Sequence, residues 1–129
     1  MTYQQAEQFL LSLSNLPRQE YMNDPKKCHV YLERTQFLLD ILGNPEKKIP
    51  HYIHIAGTSG KGSVSSYLHS ILLSDKKNVG LYTSPHAGSI LERWVCGDTQ
   101  MPKAEFAGIV AIMKTALDVY IRKSSYDPP

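Results

Sequence analysis

A chain of 129 residues, 42% hydrophobic and 20% charged, has the make-up of a globular domain with one core. Its net charge of +2, from 14 basic and 12 acidic residues, is too small to make nucleic acid the main partner. No apolar run reaches the length of a membrane span, Met1–Gln5 carries no signal-peptide pattern, and Cys28 and Cys96 make no CxxC pair, so the expectation is a cytoplasmic protein without a membrane partner, zinc or a disulfide framework.

Thr2 and Gln5 fit a capping box, and Ala6, Phe9, Leu10 and Leu13 follow at helical spacing, which predicts an amphipathic helix over 3–14. Residues 17–27 are polar and broken by Pro17 and Pro25, and read as a loop. A second helix is expected from about Val30 to Leu42, with Leu32, Leu38, Leu39, Ile41 and Leu42 on its apolar side. Gly43 suits its C-terminal cap, and Asn44-Pro45 prevents continuation. Glu33 and Arg34 read as solvated surface charges, and Lys47-Lys48 as a solvated turn.

Residues 51–56 alternate, with Ile53 and Ile55 on one side and Tyr52 and His54 on the other, which predicts a strand. In a sheet covered on both faces, His54 is then a core or supporting histidine rather than a catalyst. Val64, Leu68, Ile71 and Leu72 predict a helix through Ser74, and Val79–Thr83 a second short strand. Strand, helix and strand within about thirty residues form a βαβ unit, whose sheet is expected to be parallel with a right-handed crossover.

Between the first strand and the helix stands Gly57-Thr58-Ser59-Gly60-Lys61-Gly62-Ser63. Three glycines within six residues allow backbone N–H groups to turn inward around an anion, and the helix directs its positive end at the same spot. Lys61 adds a mobile cation, and Ser63 a hydroxyl able to reach a phosphate or Mg²⁺. The pattern points to a phosphate cradle for a nucleotide, although Ile55 and Gly62 depart from G-x-x-x-x-G-K-[ST]. Ser84 and His86 follow the second strand, where ligands sit in open α/β sheets. They read equally as a turn, since Ser-Pro is a frequent turn pair.

Ile90–Cys96 reads as a strand or extended segment, and Gly97-Asp98 as a turn. Pro102 opens a long helix over roughly 103–123, with Phe106, Val110, Met113, Leu117 and Tyr120 as a core stripe. Residues 124–129 read as a terminal loop.

The loop at Gly57–Ser63 resembles the GT-N-GKGS loop of the folylpolyglutamate synthase and dihydrofolate synthase family, a branch of the Mur ligases. Leu42-Gly43-Asn44-Pro45, Val79-Gly80-Leu81-Tyr82-Thr83-Ser84-Pro85-His86, Glu92-Arg93 and Leu32-Glu33-Arg34 resemble further motifs of that family in order and spacing, over roughly residues 28–110. The resemblance implies an α/β fold: a partial P-loop ATPase domain of the Mur-ligase type, with a parallel βαβ core preceded by two N-terminal helices. Residues 1–129 would be a single domain, with 1–49 as a helical lead-in and 50–129 as the first part of the sheet.

By the same resemblance, the cofactors are ATP and Mg²⁺, and the substrates are dihydropteroate or folate and L-glutamate. A carboxylate is activated as an acyl phosphate and attacked by the glutamate amine. Gly57, Thr58, Ser59, Gly60, Lys61, Gly62 and Ser63 would bind the triphosphate, with Lys61 neutralising its β/γ oxygens. Ser63 and Ser84 would serve the metal. His29, Val30, Tyr31 and His86 would border the folate substrate.

Ser59, Tyr31, Ala87 and Val95–Asp98 depart from the family pattern. The family's metal-binding glutamate and histidine, its carbamylated lysine and its glutamate-binding domain would all fall beyond residue 129. The chain therefore reads as an N-terminal piece of a ligase, inactive by itself and prone to self-association through uncovered apolar surface. The other readings are a Mur ligase of peptidoglycan synthesis and a non-catalytic nucleotide-binding or interaction module.

Overall fold

The computed structural model of the chain describes residues 1–14 and 28–123. The loops expected at 17–27 and 124–129 lie outside the described residues. The chain divides into two compact units, one of Met1–His51 with Ala107–Pro129 and one of Tyr52–Phe106.

The first unit is helical. Helix α1 (Tyr3–Ser14) begins at the expected capping box. The Thr2 N–H donates to Gln5 Oε1 at 2.9 Å, and the Gln5 N–H donates to Thr2 Oγ1 at 3.2 Å. Ala6 on its inner side is fully buried.

Helix α2 (Cys28–Ile41) ends in a Schellman turn, with the Asn44 N–H on the Leu39 carbonyl at 2.8 Å and the Gly43 N–H on the Asp40 carbonyl at 3.1 Å. Gly43 takes φ +78°, the left-handed conformation this turn requires and a Cβ disfavours. A 3₁₀ turn, Pro45–Lys48, follows.

Helix α4 (Lys103–Lys123) starts in the second unit and runs on in the first. Of the expected core stripe, Phe106, Val110 and Tyr120 are buried and Met113 and Leu117 half-buried, while Ala116, outside the stripe, is buried too. The Tyr120 ring meets Phe37 edge-on at 5.3 Å. Arg34 is not a solvated surface charge: it is half-buried, and its Nε donates to Tyr120 Oη at 3.2 Å. Its long stem lies within the packed surface while its head finds a phenol oxygen. Leu32 also departs from the apolar side expected of α2, being 73% exposed.

In the second unit, helix α3 (Lys61–Ser74) packs on strand β1 (Gly80–Tyr82). The described sheet has three strands in the order β1-β2-β3, with β2 at Trp94–Cys96 and β3 at Thr99–Gln100. Both pairings are antiparallel: Leu81 faces Val95, and Cys96 faces Thr99 across the Gly97-Asp98 turn, where Gly97 has φ +63°.

Three expectations are corrected here. The segment 51–56 is irregular rather than a strand, so the parallel βαβ core is absent among the described residues. Alternation specifies two faces of an extended chain, but a strand exists only beside a hydrogen-bonded neighbour, and the described neighbour of β1 is β2. His54 and Ile53 are accordingly exposed rather than in a core. On α3, Leu68 and Leu72 are half-buried, whereas Val64 and Ile71 are 53% and 63% exposed and join Tyr67 on an outward side. Finally, Ile90–Arg93 is a 3₁₀ turn, and the extended chain begins only at Trp94.

Candidate functional site: a glycine loop and a carboxylate-folded turn

The glycine loop ends where α3 begins. Gly60 caps the helix at φ +75°, a conformation natural to glycine, and it has no side chain to accept from the first helical N–H groups. The first backbone bond of the helix runs from the Val64 N–H to the Gly60 carbonyl at 3.0 Å. The N–H groups of Lys61, Gly62 and Ser63 precede it and have no acceptor within the helix. Lys61 folds back over the loop, its Nζ donating to the Gly57 carbonyl at 2.6 Å. An ammonium, three free-ended N–H groups and the positive end of a helix dipole therefore gather on one short stretch. All seven residues from Gly57 to Ser63 are exposed, open to a ligand from solvent.

These residues suit a phosphate chain. A Cβ at Gly60 or Gly62 would meet nothing within 4 Å, so the approach to the backbone is unobstructed. The hydroxyls of Ser63 and Ser84 are hard oxygen donors, the type Mg²⁺ takes alongside water and substrate phosphate oxygens. Among the described residues there is no group of three or more His, Cys, Asp or Glu able to hold a metal.

The segment after β1 carries two further expected site residues, Ser84 and His86. The Ser84–Pro85 peptide is cis, and Ser84 and His86 are both exposed. Glu92 folds this turn from below. Its carboxylate accepts from the Ser89 N–H at 2.8 Å, the Ala87 N–H at 2.9 Å and the Gly88 N–H at 3.2 Å. Ser89 returns the contact, its Oγ accepting from the Leu91 N–H at 3.3 Å. A Cβ at Gly88 would stand 3.0 Å from the carboxylate, closer than the turn accommodates without shifting. The backbone N–H groups of Ser89, then Ala87 and Gly88, hold the Glu92 carboxyl below its ordinary value of 4.5.

That depression has a sign. The folded-state value lies below the unfolded one, so the contribution of Glu92 is complete above about pH 4.5 and lost as pH falls through the lowered value. The amide resonances of Ala87, Gly88 and Ser89 are expected to titrate together below pH 4.5. In Glu92→Gln that titration is expected to vanish; its persistence would assign it to another group.

Arg93 braces the same turn from the side. Its Nε donates to His86 Nδ1 at 2.9 Å, and its Nη1 donates to Tyr82 Oη at 3.4 Å. The Thr83 N–H bonds the Arg93 carbonyl at 3.0 Å, so main chain and side chain both fasten Arg93 to the residues flanking Ser84.

Of the residues expected at the site, the structure joins Gly57 with Lys61, and ties His86 to Arg93. His29, Val30 and Tyr31 lie in the first turn of α2, in the other unit. Glu92 and Arg93 were not among the expected site residues. The Ser89-x-x-Glu92 spacing is a capping-box pattern and marks the carboxylate's role; nothing in the sequence marks the pairing of Arg93 with His86.

No protein-family model matches the chain. A probable bifunctional folylpolyglutamate synthase/dihydropteroate synthase of Halobacterium salinarum is 39% identical over 104 residues, which is 81% of this chain and 12% of that protein. Further relatives carry the name dihydrofolate synthase/folylpolyglutamate synthase, in Bacillus subtilis and Mycobacterium tuberculosis. Among solved structures, folylpolyglutamate synthetase from Lactobacillus casei superposes with a TM-score of 0.77 at 31% identity, covering 95% of this chain and 28% of that one. A solved complex of such a synthase with AMPPCP and folate superposes with a TM-score of 0.76 at 30% identity, covering 95% of this chain and 27% of that one. The chain thus spans from 12% to 28% of the length of these proteins.

Proposed function

We propose, for a chain whose relatives in sequence and structure are folylpolyglutamate and dihydrofolate synthases, that it supplies the nucleotide-phosphate cradle of an ATP-dependent ligase joining L-glutamate to a folate-type carboxylate. The observation that carries this reading is the glycine-capped start of α3 with the Lys61 ammonium folded over it. A related solved complex holding AMPPCP and folate supports both ligand classes.

Each residue has a definable task. The backbone of 57–63 donates to phosphate oxygens, and the first turn of α3 lends its dipole. Lys61 exchanges the Gly57 carbonyl for the β/γ oxygens, a trade of a neutral acceptor for a charged one. Ser63 and Ser84 offer their hydroxyls to Mg²⁺. Bound MgATP supplies the phosphoryl group that turns an unreactive carboxylate into an acyl phosphate, which the glutamate amine attacks with release of phosphate. The protein's share is placement and charge neutralisation. His29, Val30 and Tyr31 are assigned to the border of the folate site on the family resemblance alone. The exposed Val64, Tyr67 and Ile71 support self-association of the chain when it stands alone.

The test is a phosphate-release assay on the protein that carries this sequence, with MgATP, L-glutamate and either dihydropteroate or folate. Release that depends on both glutamate and the pterin substrate is expected. Release that instead requires a peptidoglycan precursor, or none with any substrate, would overturn the reading.

A further inference from the structure

The contact between Arg93 and His86 carries information that the rest of the site does not. A guanidinium has donors only and stays charged. Its Nε sits 2.9 Å from His86 Nδ1, so that ring nitrogen must present a lone pair. A neutral imidazole has one N–H, and with Nδ1 accepting, the proton resides on Nε2. The ring is thereby committed as a donor through its far edge. Arg93 is itself held in two other places, by Tyr82 Oη at 3.4 Å and by the Thr83 N–H on its carbonyl at 3.0 Å. Glu92, the preceding residue, folds the backbone of 87–89 immediately after His86.

We propose that Arg93 is a positioning residue which fixes His86 as its Nε2–H tautomer, so that His86 donates a hydrogen bond to an anionic oxygen of a ligand bound beside Ser84. The proposal rests on the ligase reading for the ligand's identity, but the tautomer does not depend on it. An anionic oxygen is the acceptor that fits: the ring offers one directed N–H, and a carboxylate or phosphoryl oxygen receives it more strongly than a neutral group does. The guanidinium behind the ring adds positive charge, with its Nε and Nη1 directed at His86 and Tyr82. Two sources share this chemistry, the nucleotide phosphates and the carboxylates of folate.

The test is histidine-labelled ¹⁵N spectroscopy on the 129-residue chain at about pH 8, where an ordinary imidazole is neutral. Wild type is expected to show the Nε2–H tautomer at His86. Arg93→Leu is expected to mix the two tautomers, and Arg93→Lys, which restores a donor, to return the ring toward Nε2–H. An Nδ1–H ring in wild type, or a ring unchanged by Arg93→Leu, overturns the proposal.

Addition of MgAMPPCP and of folate in separate arms then identifies the oxygen. The His86 Nε2–H resonance is expected to move with one of them, and that ligand to bind about tenfold more weakly to Arg93→Leu. Movement with neither overturns the donor role. If MgAMPPCP leaves the Gly57–Ser63 amides unmoved, the nucleotide reading falls, while the tautomer result is still decided by the first arm.

Discussion

Lys61→Ala is expected to weaken MgATP binding by about 10- to 100-fold, the range of one charge-assisted hydrogen bond of roughly 1.5–3 kcal/mol. The loop's backbone donors survive the change, since Gly60 still caps α3 and the N–H groups of 61–63 remain. What is lost is the mobile cation that now rests on the Gly57 carbonyl. Because Lys61 is exposed, its truncation leaves no buried group unpaired, and thermal stability is expected to stay nearly constant. The two measurements together, fluorescence titration with a labelled nucleotide and a thermal melt, separate loss of ligand from loss of fold. Equal affinity in the variant would move the phosphate site away from this loop.

Phe106→Ala carries the largest expected effect on stability, a loss of about 3–5 kcal/mol. Its side chain is 3% exposed at the start of α4, and its ring lies 5.6 Å from that of Trp94. Trp94 in turn lies 6.0 Å from Tyr82, its cross-strand partner on β1. Removing the Phe106 ring opens a cavity beside Trp94 on β2. With total stability of small domains at about 5–15 kcal/mol, the variant is expected to unfold at a much lower urea midpoint. Trp94 is the only tryptophan of the chain and reports the transition directly by fluorescence. A midpoint close to wild type would mean that this ring does not support the sheet.

The contrast between these two positions shows what the sequence made legible. Phe106, Val110 and Tyr120 repeat at helical spacing, and they are buried as that spacing requires. Thr2 with Gln5 and the Gly43 turn are local signals, and each closes over a few residues. The glycine loop was legible for the same reason: a left-handed cap at Gly60 followed by a lysine is written within five positions.

What was not legible is non-local. Residues 51–56 carry the alternation of a strand, yet the hydrogen-bonded neighbour that defines one is not specified by their own sequence. The antiparallel partnership of β1 with β2 depends on the 3₁₀ turn at Ile90–Arg93, which reverses the chain after the Ser84 segment. The same turn carries Glu92 and Arg93, so the misread extended segment and the overlooked site residues have one cause. A short turn whose carboxylate collects three backbone N–H groups leaves no periodic trace, only the serine three residues before the glutamate.

The central claim is that Gly57–Ser63 is a phosphate cradle served by the Ser84 turn. Titration of MgAMPPCP into the ¹⁵N-labelled chain, followed amide by amide, tests it most directly. The account predicts saturable shifts concentrated at Gly57, Gly60, Lys61, Gly62 and Ser63, a second group at Ser84 and His86, and a midpoint about 10- to 100-fold higher for both sets in Lys61→Ala. Shifts confined to other parts of the chain, or none at millimolar nucleotide, would contradict it.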